Sequence, residues 1–231
     1  MSSSTTAGTS TGYSIADVVG VVAEPQTYKN LLYLGLAFPL GMVYYVVLMA
    51  GFALGIGLSV LVVGLGILLG TVIGLRYIAS VERRLANALL GTAIATPDDV
   101  ETAGEGVVGT AKAYLRASST WRGLGFVVLK FWLGILSFVL LVTFLGTAVE
   151  LLLLPLFPGG ALNIQVANWE VAKSVTTTSQ RVIAVPGGAV LAVLGLHLLN
   201  AFARANASIA SSLLGPKQMA ADEGTGSGQS V

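Results

Sequence analysis

The sequence predicts an all-α polytopic membrane protein: four transmembrane helices as two tandem parallel hairpin repeats, with a small extracytoplasmic loop containing short β-strands. Three observations lead there. The 231 residues are 55% hydrophobic and only 10% charged, with a mean hydropathy of +0.84, whereas a soluble domain carries about 25% charged residues. The stretch from Leu31 to Ala79 runs 49 residues with a single charge, Arg76; at about 20 apolar residues per crossing it holds two spans and a tight turn. A second, similarly apolar half follows it, with matching residues at a fixed spacing.

Taken in order, residues 1–25 read as a disordered Ser/Thr/Gly-rich segment with a short amphipathic helix, Ile15 to Ala23. Ser14 caps it, and Ile15, Val18, Val19 and Val22 share one face that rests on the membrane or the bundle. Residues 1–12 lack the basic region and apolar core of a signal peptide, so the first span is expected to direct insertion. Residues 26–91 form the first repeat, with spans at about 31–52 and 56–78 and glycines 51, 55 and 57 at the turn. Pro39 either kinks the first span or begins it; in the second case Thr27 to Ala37 lies partly in the membrane plane, with Tyr28 and Tyr33 at the headgroups. Gly66, Gly70 and Gly74 form a ridge expected to seat another helix backbone, with a pore or ligand groove as the alternative. Past Tyr77 the helical pattern continues, Val81, Leu85 and Leu89 lying opposite the charges.

Residues 92–119 form a cytoplasmic linker, where Thr96-Pro97-Asp98-Asp99 starts a polar helix over about 98–117. The second repeat, 120–215, has one span at about 131–154 with Trp121, Arg122 and Lys130 at one interface and Glu150 towards the other. An extracytoplasmic insertion follows over 159–181. There Leu162, Ile164 and Val166 alternate with Asn163 and Gln165, predicting a short strand that Ser174 to Gln180 would pair with. A fourth span covers about 182–203, and a disordered tail, 216–231, closes the chain.

The duplication is read from Thr27-Tyr28-Lys29 against Thr120-Trp121-Arg122, with Phe38 on Phe131, Leu40 on Leu133 and Gly41 on Gly134, all offset by 93 residues. Leu89-Leu90-Gly91 matches Leu213-Leu214-Gly215 at an offset of 124, which leaves 31 extra residues between the later spans. Two spans per unit relate the units by an axis along the membrane normal. Lys29, Arg76, Arg83, Arg84, Lys112, Arg116, Arg122, Lys130, Arg204 and Lys217 fall on one side, and Lys173 and Arg181 on the other. The positive-inside rule then places both termini in the cytoplasm of a multi-pass cell-membrane protein.

Little chemistry is visible. A net charge of +1 excludes nucleic acid as a partner by bulk field, and the absence of cysteine removes thiolate catalysis and cysteine metal sites. No nucleophile with a base, no paired intramembrane acids and no phosphate loop occur, so no cofactor or enzyme activity is expected. His197 is expected to be structural, and Glu150 to be either an intramembrane carboxylate or a group reaching water or a loop amide. Lys130 would cost about 2.5–3.5 kcal/mol at a helix centre, so it is expected to anchor the span by snorkelling. Glu82, Arg83 and Arg84 are expected on a solvated cytoplasmic face able to contact a partner or anionic lipid.

Phe38-Pro39-Leu40-Gly41, its echo Phe131-Trp132-Leu133-Gly134, and the stretch Glu82-Arg83-Arg84-Leu85 to Leu90-Gly91 resemble the putative sensor domain family of prokaryotic membrane proteins, over about residues 26–215. The resemblance implies a four-span module, often preceding a histidine kinase core, that detects a signal at or outside the membrane and passes it to a cytoplasmic output. Trp132 stands where the repeat predicts proline, and no output domain follows Gly215, so the expected action is through a separate chain. On this reading Asn163, Gln165, Trp169, Glu170 and Lys173 form the signal-sensing loop, Glu82, Arg83 and Arg84 the output face, and Pro39, Gly41, Gly66, Gly70 and Gly74 the packing and kink positions. Expected partners are the lipid bilayer, a histidine kinase or other cytoplasmic regulator, and a second copy in a homodimer. The rival classes are a small transporter or channel, suggested by the duplicated units, and a non-sensing assembly scaffold.

Overall fold

A computed structural model describes residues 19–97, 109, 113–114, 116–157, 160–162, 164–166, 169–170, 175 and 177–216. Residues 15–18 of the expected helix at 15–23, most of the one at 98–117 and nearly all of the expected tail lie outside them.

Among the described residues, four helices are long and apolar enough to cross a membrane: Pro25–Gly57 (α1), Val62–Leu90 (α2), Ser118–Leu153 and Thr178–Leu214 (α5). The third is composite, with α3 (Ser118–Leu140), a π-helical segment (Leu141–Gly146) and α4 (Thr147–Leu153). At 1.5 Å per residue the shortest, of 29 residues, is roughly 44 Å long, against an apolar layer of about 30 Å. The first and last helices outrun their expected spans at both ends, the second only at its C-terminal end and the third only at its N-terminal end.

Pro39 lies inside α1, whose helix begins at Pro25 rather than at Pro39. Pro25, expected to stop a preceding helix, instead opens α1, where its missing N–H costs no bond. The turn between the first two spans falls at Leu58–Leu61, later than expected. Gly51 and Gly55 are not turn residues; they sit in α1 against the side chains of Thr71 and Leu68, leaving no space for a Cβ. A glycine run in an apolar helix signals close approach as readily as a turn. Gly91, with φ 67°, terminates α2 in the left-handed conformation that glycine adopts without strain. Asn87 then organises the segment beyond it, its Oδ1 accepting from the Ile94 N–H at 2.8 Å and the Thr92 hydroxyl at 2.8 Å.

The chain forms two compact units. One comprises Lys29–Leu141 and the chain from Leu199 onward. Its core gathers Tyr33 and Leu34 from α1, Ala79 and Ala86 from α2, Phe126 from α3, and Leu199, Ala203, Ala210 and Leu214 from α5, with Ile94 beneath. Tyr44, Leu48, Leu75 and Val127 make a second cluster. α1 and α3 meet through two glycines: a Cβ at Gly41 would lie 2.8 Å from the Lys130 carbonyl oxygen, and one at Gly134 would lie 2.5 Å from that of Ala37. Beside them Phe38 stacks on Phe138 (4.8 Å between centroids) and Tyr45 on Phe131 (4.4 Å). Asn30 donates to Asn200 Oδ1 at 2.9 Å, tying α1 to α5 in the interior.

The other unit comprises the chain up to Tyr28 and Val142–Leu198. Here Gly188 and Gly195 of α5 sit against Leu151 and Phe144, and Gly146 faces Ile164. Gln165–Val166 (β1) pairs antiparallel with Trp169–Glu170 (β2) in a two-residue ladder. The expected partner, Ser174 to Gln180, is not the one used: Thr178–Gln180 already belongs to α5. Two residues between β1 and β2 suffice for the reversal, which makes the pairing local.

Candidate functional site

The most concentrated chemistry lies inside the larger unit, where Lys130 of α3 meets Glu82 of α2 at 3.0 Å, both fully buried. Lys130 Nζ also stands 4.0 Å from the centre of the Tyr33 ring, in the geometry of a cation–π contact. Tyr33 and Tyr44, both buried, interact with the Glu82 carboxylate. Helices α1, α2 and α3 thus each contribute to one charged cluster. Neither Glu82 oxygen nor Lys130 Nζ makes a well-directed hydrogen bond, so the pair is an ionic contact rather than a hydrogen-bonded fork.

Two expectations are corrected by this cluster. Lys130 is not an interfacial anchor, and Glu82 is not on a solvated output face. The cost of burying either charge is offset by the other, and by the ring that receives the ammonium. The buried stripe of α2 runs through Val72, Leu75, Ala79, Glu82 and Ala86, while Val81, Leu85 and Leu89, expected opposite the charges, are half-buried. Arg83 is half-buried and Arg84 exposed.

Arg76, the lone charge of the first apolar stretch, donates to Ser119 Oγ at 2.9 Å and Thr120 Oγ1 at 3.0 Å, and lies 5.1 Å from the Tyr114 ring centre. Arg122 donates to the Ser212 carbonyl oxygen. Sequence reasoning missed the bonds of Arg76 and of Asn30 with Asn200. Isolated polar residues in apolar helices were the only available signal, and nothing in the chain says which distant residue each one meets.

In the other unit Glu150 is buried on α4, and its Oε2 accepts from the Leu162 N–H at 2.6 Å. Of the two alternatives for Glu150, the loop amide is the contact that forms. Thr147 lies one turn before it, its hydroxyl also buried. Of the expected sensing residues, Gln165 and Glu170 face each other in the ladder, with Gln165 Nε2 donating to Glu170 Oε1 at 3.2 Å. The backbone of Trp169 belongs to the same ladder. Asn163 and Lys173 lie outside the described residues. His197 sits on the exposed surface of α5.

The glycine ridge differs from expectation. A Cβ at Gly66, Gly70 or Gly74 would meet nothing within 4 Å. α1 contacts α2 one face over, through Thr71 and Leu68, so no helix among the described residues is seated on the ridge. Gly70 and Gly74 instead line an apolar cavity of about 260 Å³ with Val47, Leu48 and Ile67. Among the described residues no group of acidic or histidine side chains is arranged to hold a metal.

A family model described as Putative sensor matches residues 33–214. No curated protein and no solved structure matches the chain.

Proposed function

The chain belongs to the Putative sensor family, and from that premise we propose that it is a signalling module that detects an extracytoplasmic or membrane-borne signal and relays it to a cytoplasmic partner. The observation that carries this reading is the bond between the Leu162 amide and the buried Glu150 carboxylate. It ties the loop to a helix that is continuous with the third span. Directly before α4 lies the π-helical segment, a place where a helix changes register at low cost. A loop displacement transmitted through Glu150 reaches this segment first, and the charged cluster around Lys130 lies further down the same helix.

The proposed arrangement is a duplicated pair of hairpins with both termini in the cytoplasm of a cell-membrane protein. Contacts that exchange under the 93-residue offset support the duplication: Gly41 with Lys130 and Phe131 becomes Gly134 with Ala37 and Phe38, and the Phe38–Phe138 stack becomes the Phe131–Tyr45 stack. At the 124-residue offset the buried positions Val72, Leu75, Ala79, Glu82 and Ala86 of α2 fall on Leu196, Leu199, Ala203, Asn206 and Ala210 of α5, all buried too. The one-sided distribution of lysine and arginine supports the orientation. The proposed role is binding and relay, without a catalytic step; the partner is a histidine kinase or other regulator, with a second copy of the chain as a further candidate.

The test is removal of residues 162–180 in protein whose membrane insertion has been verified, with signalling followed through a regulator co-purified from native membranes. Loss of the response with retained co-purification is the expected result. An unchanged response removes the loop from the mechanism, and solute flux by the purified protein in liposomes replaces this reading with that of a transporter.

A further inference from the structure

A second polar site lies where α2, the first turns of α3 and the last turn of α5 converge. Arg76 and Arg83 line the same pocket with Ser119, Thr120 and Pro97. They stand two turns apart on α2, which places them on one face. Among the described residues no carboxylate lines this pocket. Arg76 and Arg84, both of its own sign, lie close enough to act on the partly buried Arg83 guanidinium. Arg83 makes no ion pair or hydrogen bond among the described residues. Glu82, its chain neighbour, is committed to Lys130 on the other side of the helix.

Two half-buried guanidinium groups facing one pocket repel one another, and a bound anion relieves that repulsion. Arg76 is already oriented by two hydroxyls and an aromatic ring, so little freedom is lost when an anion arrives. A guanidinium presents a planar fork of N–H donors that matches the oxygens of a phosphate, and hydroxyls at 119 and 120 supply further polar contacts. We propose that this notch binds a phosphate group, with Arg83 as the principal contact and Arg76 as the pre-set second one. Its position at the basic ends of the apolar helices makes the headgroup of an anionic phospholipid the natural source; a soluble phosphate is the other source of the same chemistry.

The experiment uses the full chain purified in a neutral detergent. Native mass spectrometry follows retention of phosphatidylglycerol against phosphatidylcholine, and calorimetry with inorganic pyrophosphate tests the soluble source. Wild type and Arg84→Gln, whose side chain is exposed outside the pocket, are expected to prefer phosphatidylglycerol. Arg83→Gln is expected to weaken that preference about ten-fold, the loss of one charge-assisted contact. Pyrophosphate binding that depends on Arg83, without a lipid preference, assigns the site to a soluble phosphate. Wild-type protein with neither preference overturns the proposal irrespective of how any variant folds, as does an Arg83→Gln protein that binds like wild type. Retention that does not fall with rising salt overturns it as well, because the contact is ionic and partly exposed.

Discussion

At the residue scale, the Glu82–Lys130 pair behaves as one unit, since removing either partner leaves a fully buried charge in an apolar surrounding. Lys130→Met or Glu82→Gln alone is expected to destabilise the protein by about 3–5 kcal/mol, whereas the double replacement Glu82→Leu with Lys130→Met is expected to lie close to wild type. Unfolding midpoints of the purified protein in detergent, arranged as a double-mutant cycle, measure this directly. Two mild single variants would show that water reaches the pair. The sequence does not disclose the pair because a snorkelling lysine and a buried one share the same local context. Lys130 stands among apolar residues in either case, and its counter-charge comes from another helix. Glu150 was more legible: a lone acid at the outer end of an apolar run needs a donor, and a loop amide is the nearest kind.

At the element scale, glycines do two different jobs here. Gly41 and Gly134 bring α1 and α3 together, and a Cβ at Gly134 would press on the Ala37 carbonyl. Gly134→Ala is expected to cost about 1–3 kcal/mol through overpacking. Gly66→Ala, whose new methyl meets nothing within 4 Å, is expected to leave stability unchanged or slightly raised, because alanine is the better helix former. Thermal midpoints of the two variants in one detergent check the contrast; equal losses would mean that the Gly66 face is covered. The apolar runs of the four helices were readable because hydropathy integrates over many residues. Placing the first turn at Gly51 and Gly55 failed because a small side chain serves tight turns and tight packing alike, and only the position of Thr71 and Leu68 tells them apart.

At the scale of the whole molecule, the proposed side of each loop rests on charge counts, and the chain itself offers a clean measurement. It has no cysteine, so a single introduced thiol is labelled without background. Arg84→Cys and Lys173→Cys are expected to react from opposite sides of the membrane, the first with cytoplasmic and the second with external reagent. Labelling of both from one side would dismantle the orientation and the relay built on it. The buried ionic contact also bears on how the chain is made. Glu82 leaves the ribosome before Lys130 exists, so the nascent first hairpin reaches the bilayer with an acid that has no counter-ion. Until the third span arrives, that acid lacks the ammonium that offsets its burial in the folded protein. Docking of the two halves is therefore expected to be linked, because the early one gains the neutralising partner of its buried acid only when the later one arrives.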